Sequence, residues 1–186
     1  KAISAQYEPF TQDTMLPDEP EEFDGTLHFN YDGTFKILFL SDFHSDTWLD
    51  DKWPKVKTLN LINLMLDIED PDLVIFGGDT SVDETFDEHK STLDTVLSVV
   101  SDKKIPWCHV FGNHDREGGI DPEELYNYYF NYDYCVSSDV KELDGTGTYY
   151  IPVYGYDSDE LKYVVWCMDS PDYADEGYYD CVHTDQ

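Results

Sequence analysis

The chain alternates apolar runs of two kinds. Phe35-Lys36-Ile37-Leu38-Phe39-Leu40 is near-continuously apolar and short, the pattern of a buried strand, and a polar loop separates it from Val56 to Ile68, where Leu59, Ile62 and Leu66 recur at helical spacing. The unit then repeats. Asp72-Leu73-Val74-Ile75-Phe76 predicts a second strand and Phe86 to Val100 a second helix, with Leu93, Val96, Leu97 and Val100 on one side. Ile105 to Phe111 predicts a third strand, and Pro122-Glu123 opens a third helix at the position where proline costs no backbone hydrogen bond. Strands alternating with helices imply right-handed crossovers and a parallel sheet, hence an α/β fold built as βαβαβ. The last third changes period. Gly147 to Tyr154 and Leu161 to Met168 are β-rich and joined by Gly155-Tyr156-Asp157-Ser158-Asp159, which predicts a hairpin. Tyr163 to Met168 is apolar at successive positions and predicts a strand covered on both faces. Residues 1–33, rich in Pro, Asp and Glu, are expected to be an extended acidic arm, residues 34–170 the domain, and residues 171–186 an acidic, Tyr-rich end.

Charge narrows the partners. Of 186 residues, 41 are acidic and 11 basic, a formal charge of -30 spread along the whole chain. Such a surface repels polyanions, and no basic stripe is present to neutralise phosphates, so a nucleic-acid grip is excluded. Small phosphorylated substrates, cations or basic partners remain; solubility or a high-salt habitat accounts for the acid equally well. No apolar run reaches membrane-spanning length, which predicts a soluble chain. It begins at Lys1 without a signal-like segment, as a processed or trimmed chain would. Cys108 and Cys167 lie in apolar runs and are expected as buried free thiols. Cys135 and Cys181 lie in polar, Tyr-rich loops; a disulfide between them is expected, and with it an oxidising, extracellular compartment.

The chemistry is concentrated at three strand ends: Ser41-Asp42-Phe43-His44, Gly77-Gly78-Asp79 and Gly112-Asn113-His114-Asp115. In an open parallel sheet, neighbouring strands lie roughly 4.8 Å apart and their carboxyl ends face one crevice, so these loops converge. Asp-x-His places a carboxylate and an imidazole on one side of an extended segment, where both can hold one ion. The glycines before Asp79 and Asn113 allow sharp turns. His28, His89, His109 and His183 have no motif around them and are expected to be surface or core residues, and Tyr173 to Tyr179 packs against a neighbouring surface or rims a site.

With these three motifs in order, the sequence resembles the calcineurin-like metallophosphoesterases, and within them a branch related to purple acid phosphatases, through Asp32 to Ile37 and Phe111 to Glu117; the likeness covers about residues 27–170. The resemblance implies the N-terminal, parallel-sheet half of a metallophosphoesterase sandwich followed by a β-hairpin. It also implies a binuclear centre of two divalent or trivalent ions (Mn, Fe or Zn), with Asp42 and His44 on the first, Asp79 bridging both and Asn113 on the second. His114 would donate to the phosphate or protonate the leaving oxygen, with Asn113 also near the substrate. Asp115 would orient His114, and Arg116, the only arginine, would contact phosphate or form a surface ion pair.

Two family features are missing. No two histidines are separated by one residue, so the later Gly-His-x-His loop is absent, and Asp79 is followed by Thr80, Ser81 and Val82, which argues against a ferric-tyrosinate site. Two readings follow: part of a longer phosphoesterase that hydrolyses phosphomonoesters or phosphodiesters, or a non-catalytic structural or self-assembling protein that keeps the scaffold. Either way the open sheet needs a cover, from the remainder of the polypeptide, a partner chain or further copies.

Overall fold

The computed structural model describes residues 23–46, 53–171 and 177–186. The acidic arm up to residue 22, and Tyr173, lie outside them. Strands β2 (Ile37–Leu40), β3 (Leu73–Phe76) and β4 (Trp107–His109) form a parallel sheet in that order, with β1 (Leu27–His28) preceding them in sequence. Leu40 pairs with Phe76 and Phe76 with His109, so the three strands end level. Helices α1 (Trp53–Glu69) and α2 (Phe86–Ser101) make the crossovers, and α3 (Pro122–Tyr129) follows β4. Thr85 caps α2: its hydroxyl oxygen accepts from the amide of Glu88, and the hydroxyl donates to the Glu88 carboxylate at 2.6 Å, a reciprocal cap. Asp121 caps α3 by accepting from Glu123 and Glu124, with Pro122 in the first turn.

A second sheet lies apart from the first. The predicted hairpin is strands β5 (Tyr149–Tyr154) and β6 (Leu161–Cys167), antiparallel, and β1 pairs with β5 in parallel, giving the order β1-β5-β6. Leu27 and His28 thus belong to a sheet although they fall in the stretch read as an irregular arm; two residues are too few to show a period. Tyr149, Ile151, Val153 and Cys167 turn into the same core as Phe76, Leu93, Leu97 and Trp107, so one apolar interior joins both sheets. Each fully buried leucine there contributes about 1.5–3 kcal/mol. The double-sided burial expected for β6 is not met. Tyr163 and Trp166 are exposed, as is Tyr150 on β5, and Ile37 and Phe39 are exposed on the edge strand β2.

The predicted disulfide is also absent, because all four cysteines are free thiols. Backbone pairing holds the segment of Cys135 against β4, where Trp107 donates to Tyr134 and accepts from Val136, whereas Cys181 sits on the exposed C-terminal segment near Asp144. The expectation of an oxidising compartment loses the pairing on which it rested. The thiols that do meet are Cys108 and Cys167, across the two sheets.

His109 closes the top of β4. Its ring is stacked on Tyr129 with centroids 3.7 Å apart, and Nδ1 lies 2.8 Å from the Ser137 hydroxyl, while Nε2 is buried without a partner. Burial pushes its pKa down to about 3. Above the unfolded value of 6.5 both states are neutral and the shift has no effect. Below 6.5 the unfolded chain takes up a proton that the folded chain refuses, so stability falls with pH until about 3, at about 1.4 kcal/mol per unit. His89, also buried, acts in the same direction. His109→Phe is therefore expected to lose about 2 kcal/mol less than the wild type between pH 8 and pH 5 in urea denaturation; parallel pH profiles would refute this.

Candidate metal centre

The three motif loops leave the ends of β2, β3 and β4 and stay zipped together beyond the sheet. Asp42 donates its amide to the Gly78 carbonyl at 3.1 Å, His44 to the Asp79 carbonyl at 2.9 Å and Ser45 to Thr80 at 3.2 Å. The third loop joins where the first two end. The His114 amide donates to Asp79 Oδ1 at 3.0 Å, and Gly112 comes so close to the second loop that a methyl group on it would sit 2.1 Å from that same oxygen. Gly78, at φ +97°, would meet the Gly112 amide at 2.3 Å if it carried a side chain, so only glycine permits this crossing.

Asp42, His44 and Asp79 all have positive φ, 59°, 46° and 52°. Left-handed backbone is uncommon for residues other than glycine and concentrates at functional turns. It aims these side chains at one another. His44 Nε2 lies 3.4 Å from Asp79 Oδ2 and 3.7 Å from Asp42 Oδ1, and the rings of His44 and His114 are 4.8 Å apart. One donor atom from each of His44, Asp79 and His114 falls within 4.8 Å of the other two. Ligands held about 2.0–2.2 Å from one cation lie roughly 3–3.5 Å from each other, so the His44–Asp79 spacing suits two atoms facing a common ion. Asp79 is nearly buried, whereas the Asp42 side chain is 70% exposed, so the group opens to solvent on the Asp42 side. Asn113 stands between Gly112 and His114 and makes no capping hydrogen bond with its side chain.

Residues after His114 depart from expectation. Asp115 was expected to orient the His114 ring, but its oxygens accept backbone amides instead: Asp79 at 2.8 Å, Thr80 at 3.0 Å, Ser81 at 3.3 Å and Gly112 at 2.8 Å. Burial pushes its pKa up to about 6 while those donors pull it down. The His114 ring meets Glu117 instead, Nδ1 to Oε2 at 2.8 Å, a contact that raises the imidazole's pKa against the opposing effect of partial burial. Glu117 belongs to the third motif, but its contact with His114 is not legible in the sequence because it needs a 3-10 turn over His114–Gly119, which no periodicity announces. Arg116 is buried in an ion pair with Asp169 at the end of β6 and lies over the Phe111 ring, so it ties the third loop to the second sheet rather than standing free for phosphate.

His183, unassigned in the sequence, lies between Asp144 and Asp180 at 3.0 and 3.2 Å on the C-terminal segment, and no local pattern foretells it. A shallow cleft of about 810 Å³ between His28–Asn30 and Tyr156–Asp159 sits at the opposite end of β5 from the motif loops and contains none of these residues.

A parallel α/β sheet whose strand ends gather imidazoles and carboxylates around one point has the architecture of part of a metallophosphoesterase. The sequence model of the calcineurin-like phosphoesterases matches residues 35–183, and the chain belongs to that family. It is 30% identical over 152 residues to "Probable inactive purple acid phosphatase 28" of Arabidopsis thaliana, covering 69% of this chain and 38% of that protein. "Probable inactive purple acid phosphatase 14" of the same plant is 30% identical over 148 residues, 69% of this chain and 37% of its own length. "Phosphatase DCR2" of Saccharomyces cerevisiae is 36% identical over 100 residues, 48% of this chain and 17% of that protein. The chain thus spans well under half the length of these relatives. No solved structure matches it significantly.

The amides gathered by Asp115 set the outcome of one substitution. Asp115→Asn places an NH2 where two of the four amides now find an oxygen, and is expected to cost on the order of 3 kcal/mol in urea denaturation at pH 8. Asp42→Asn, on the exposed side, is expected to cost under about 0.5 kcal/mol. Equal costs for the two would contradict the placement of Asp115.

Proposed function

We propose that this chain carries the first half of a binuclear metal centre for phosphoester hydrolysis. The observation behind this reading is the approach of His44 Nε2 to Asp79 Oδ2 at 3.4 Å and to Asp42 Oδ1 at 3.7 Å, with His114 beside them, on loops from three adjacent strand ends. Asp42 and His44 would hold one ion, Asp79 would bridge and Asn113 would hold the second, because two cations that close repel unless an anion lies between them. Mixed carboxylate, amide and imidazole donors suit Mn, Fe or Zn. The chemistry that ions held by these residues would supply is polarisation of a phosphoryl oxygen and a nucleophile at neutral pH. The protein's own part is to hold Asp79 by its backbone, to keep His114 beside the substrate with a proton for the leaving oxygen, and to exclude polyanions by its charge of -30.

A second reading, a scaffold that binds metal without turnover, is favoured by the word "inactive" in the names of the plant relatives. In both readings the exposed residues Tyr150, Tyr163 and Trp166 on one sheet, and Ile37 and Phe39 on the other, are covered by the remainder of the polypeptide, a partner chain or further copies. Among the described residues no helix is long and apolar enough to cross a membrane.

Calorimetric titration with Mn²⁺ or Zn²⁺ tests the centre. Asp79→Asn is expected to weaken binding at least about 10-fold, and an unchanged affinity would overturn the assignment. Turnover of p-nitrophenyl phosphate by the 186-residue chain is expected to be weak or absent, since half of the implied ligands are not in it. Robust turnover lost in Asp79→Asn would mean that other groups replace them.

A further inference from the structure

The third loop winds into a 3-10 helix over His114–Gly119. With three residues per turn, side chains three apart lie one above the other, whereas neighbours point about a third of a turn away. His114 and Glu117 are such an eclipsed pair, and Glu117 Oε2 faces His114 Nδ1 at 2.8 Å. Asp115 points elsewhere and is occupied by four backbone amides. Arg116 points in a third direction, to Asp169. Three consecutive ionisable side chains thus leave the turn on three sides, and only the last returns to the imidazole.

We propose that Glu117 is the positioning residue of His114: its carboxylate accepts the hydrogen bond from Nδ1–H, fixes the ring's rotation and, in the neutral ring, its tautomer, and leaves Nε2, which carries a proton in the imidazolium form, as the nitrogen that faces a phosphoester. A carboxylate behind an imidazole selects the tautomer and holds the ring plane, and losing such a partner typically costs about 10–100-fold in the function that the ring serves. The His114 side chain is one-third exposed and its ring lies beside that of His44, centroids 4.8 Å apart, while Glu117 holds Nδ1. The assignment of Nε2 to a phosphoester rests on the function proposed above; the tautomer does not.

Ring-nitrogen NMR of the metal-free, 15N-labelled full chain at pH 9, where the imidazole is neutral, separates the two claims. The wild type is expected to show His114 with its proton on Nδ1, the opposite of the form that a free histidine favours. Glu117→Gln, whose amide oxygen still accepts, is expected to keep that pattern, and Glu117→Ala to revert to Nε2–H. An unchanged His114 pattern in Glu117→Ala, or a Gln variant that behaves like the Ala variant, overturns the proposal. Where metal-loaded wild type hydrolyses p-nitrophenyl phosphate, Glu117→Ala should lower kcat about 10–100-fold with KM within about threefold, and Glu117→Gln should recover most of it; a change in KM alone overturns the catalytic part. Loss of the hydrolysis reading would appear as a wild type that neither binds metal nor turns over, with the Nδ1–H pattern intact.

Discussion

Amides at the carboxyl ends of parallel strands have outrun their sheet partners, and a buried amide left unpaired costs about 1–3 kcal/mol. In this chain four of them, from Asp79, Thr80, Ser81 and Gly112, converge on the two oxygens of Asp115. The second and third loops are therefore one object. Asp79 can take left-handed backbone because its amide is fixed from behind, its Oδ1 is then presented to the His114 amide, and its Oδ2 is left toward His44. Gly78 and Gly112 are small for the same reason, because the two backbones touch at the point where the carboxylate binds them.

The elements that position the site were readable where burial is one-dimensional. β2, β3 and α2 appear at the predicted places, because an apolar run between turn residues has few alternatives. The Asp-x-His, Gly-Asp and Gly-Asn-His loops were placed at one sheet edge by topology alone, and they meet there. What escaped the sequence depends on distant pairing or on a change of helical pitch. β1 exists only because β5 accepts it. The His114 ring meets Glu117 rather than Asp115 because a 3-10 turn rotates each residue further than an α-helix does, which separates His114 from its immediate neighbour. Cys135 and Cys181 looked alike in composition, but the first is fixed by β4 pairing and the second is not.

The two sheets are joined near the site by more than apolar contact. Asp169 takes Arg116 from the third loop and the amide of Thr146 from the approach to β5, while its carbonyl accepts from Gln186 at 2.9 Å. An ion pair this buried contributes little net stability, since desolvation offsets most of its attraction, but breaking it from one side strands a charge in the core. It fixes relative placement rather than adding stability, and it couples the loop that bears Asn113 and His114 to the strand whose outer face carries Trp166.

Left-handed backbone at Asp42, His44 and Asp79 carries a consequence for how such chains diverge. Apart from glycine, the residue types that enter this region most readily are Asn, Asp and His, and they overlap with the types that bind hard and borderline cations. At these three positions shape and ligation draw on the same short alphabet. A descendant released from catalysis would still be held to these letters by its fold, and would wear the signature of a metalloenzyme long after ceasing to be one.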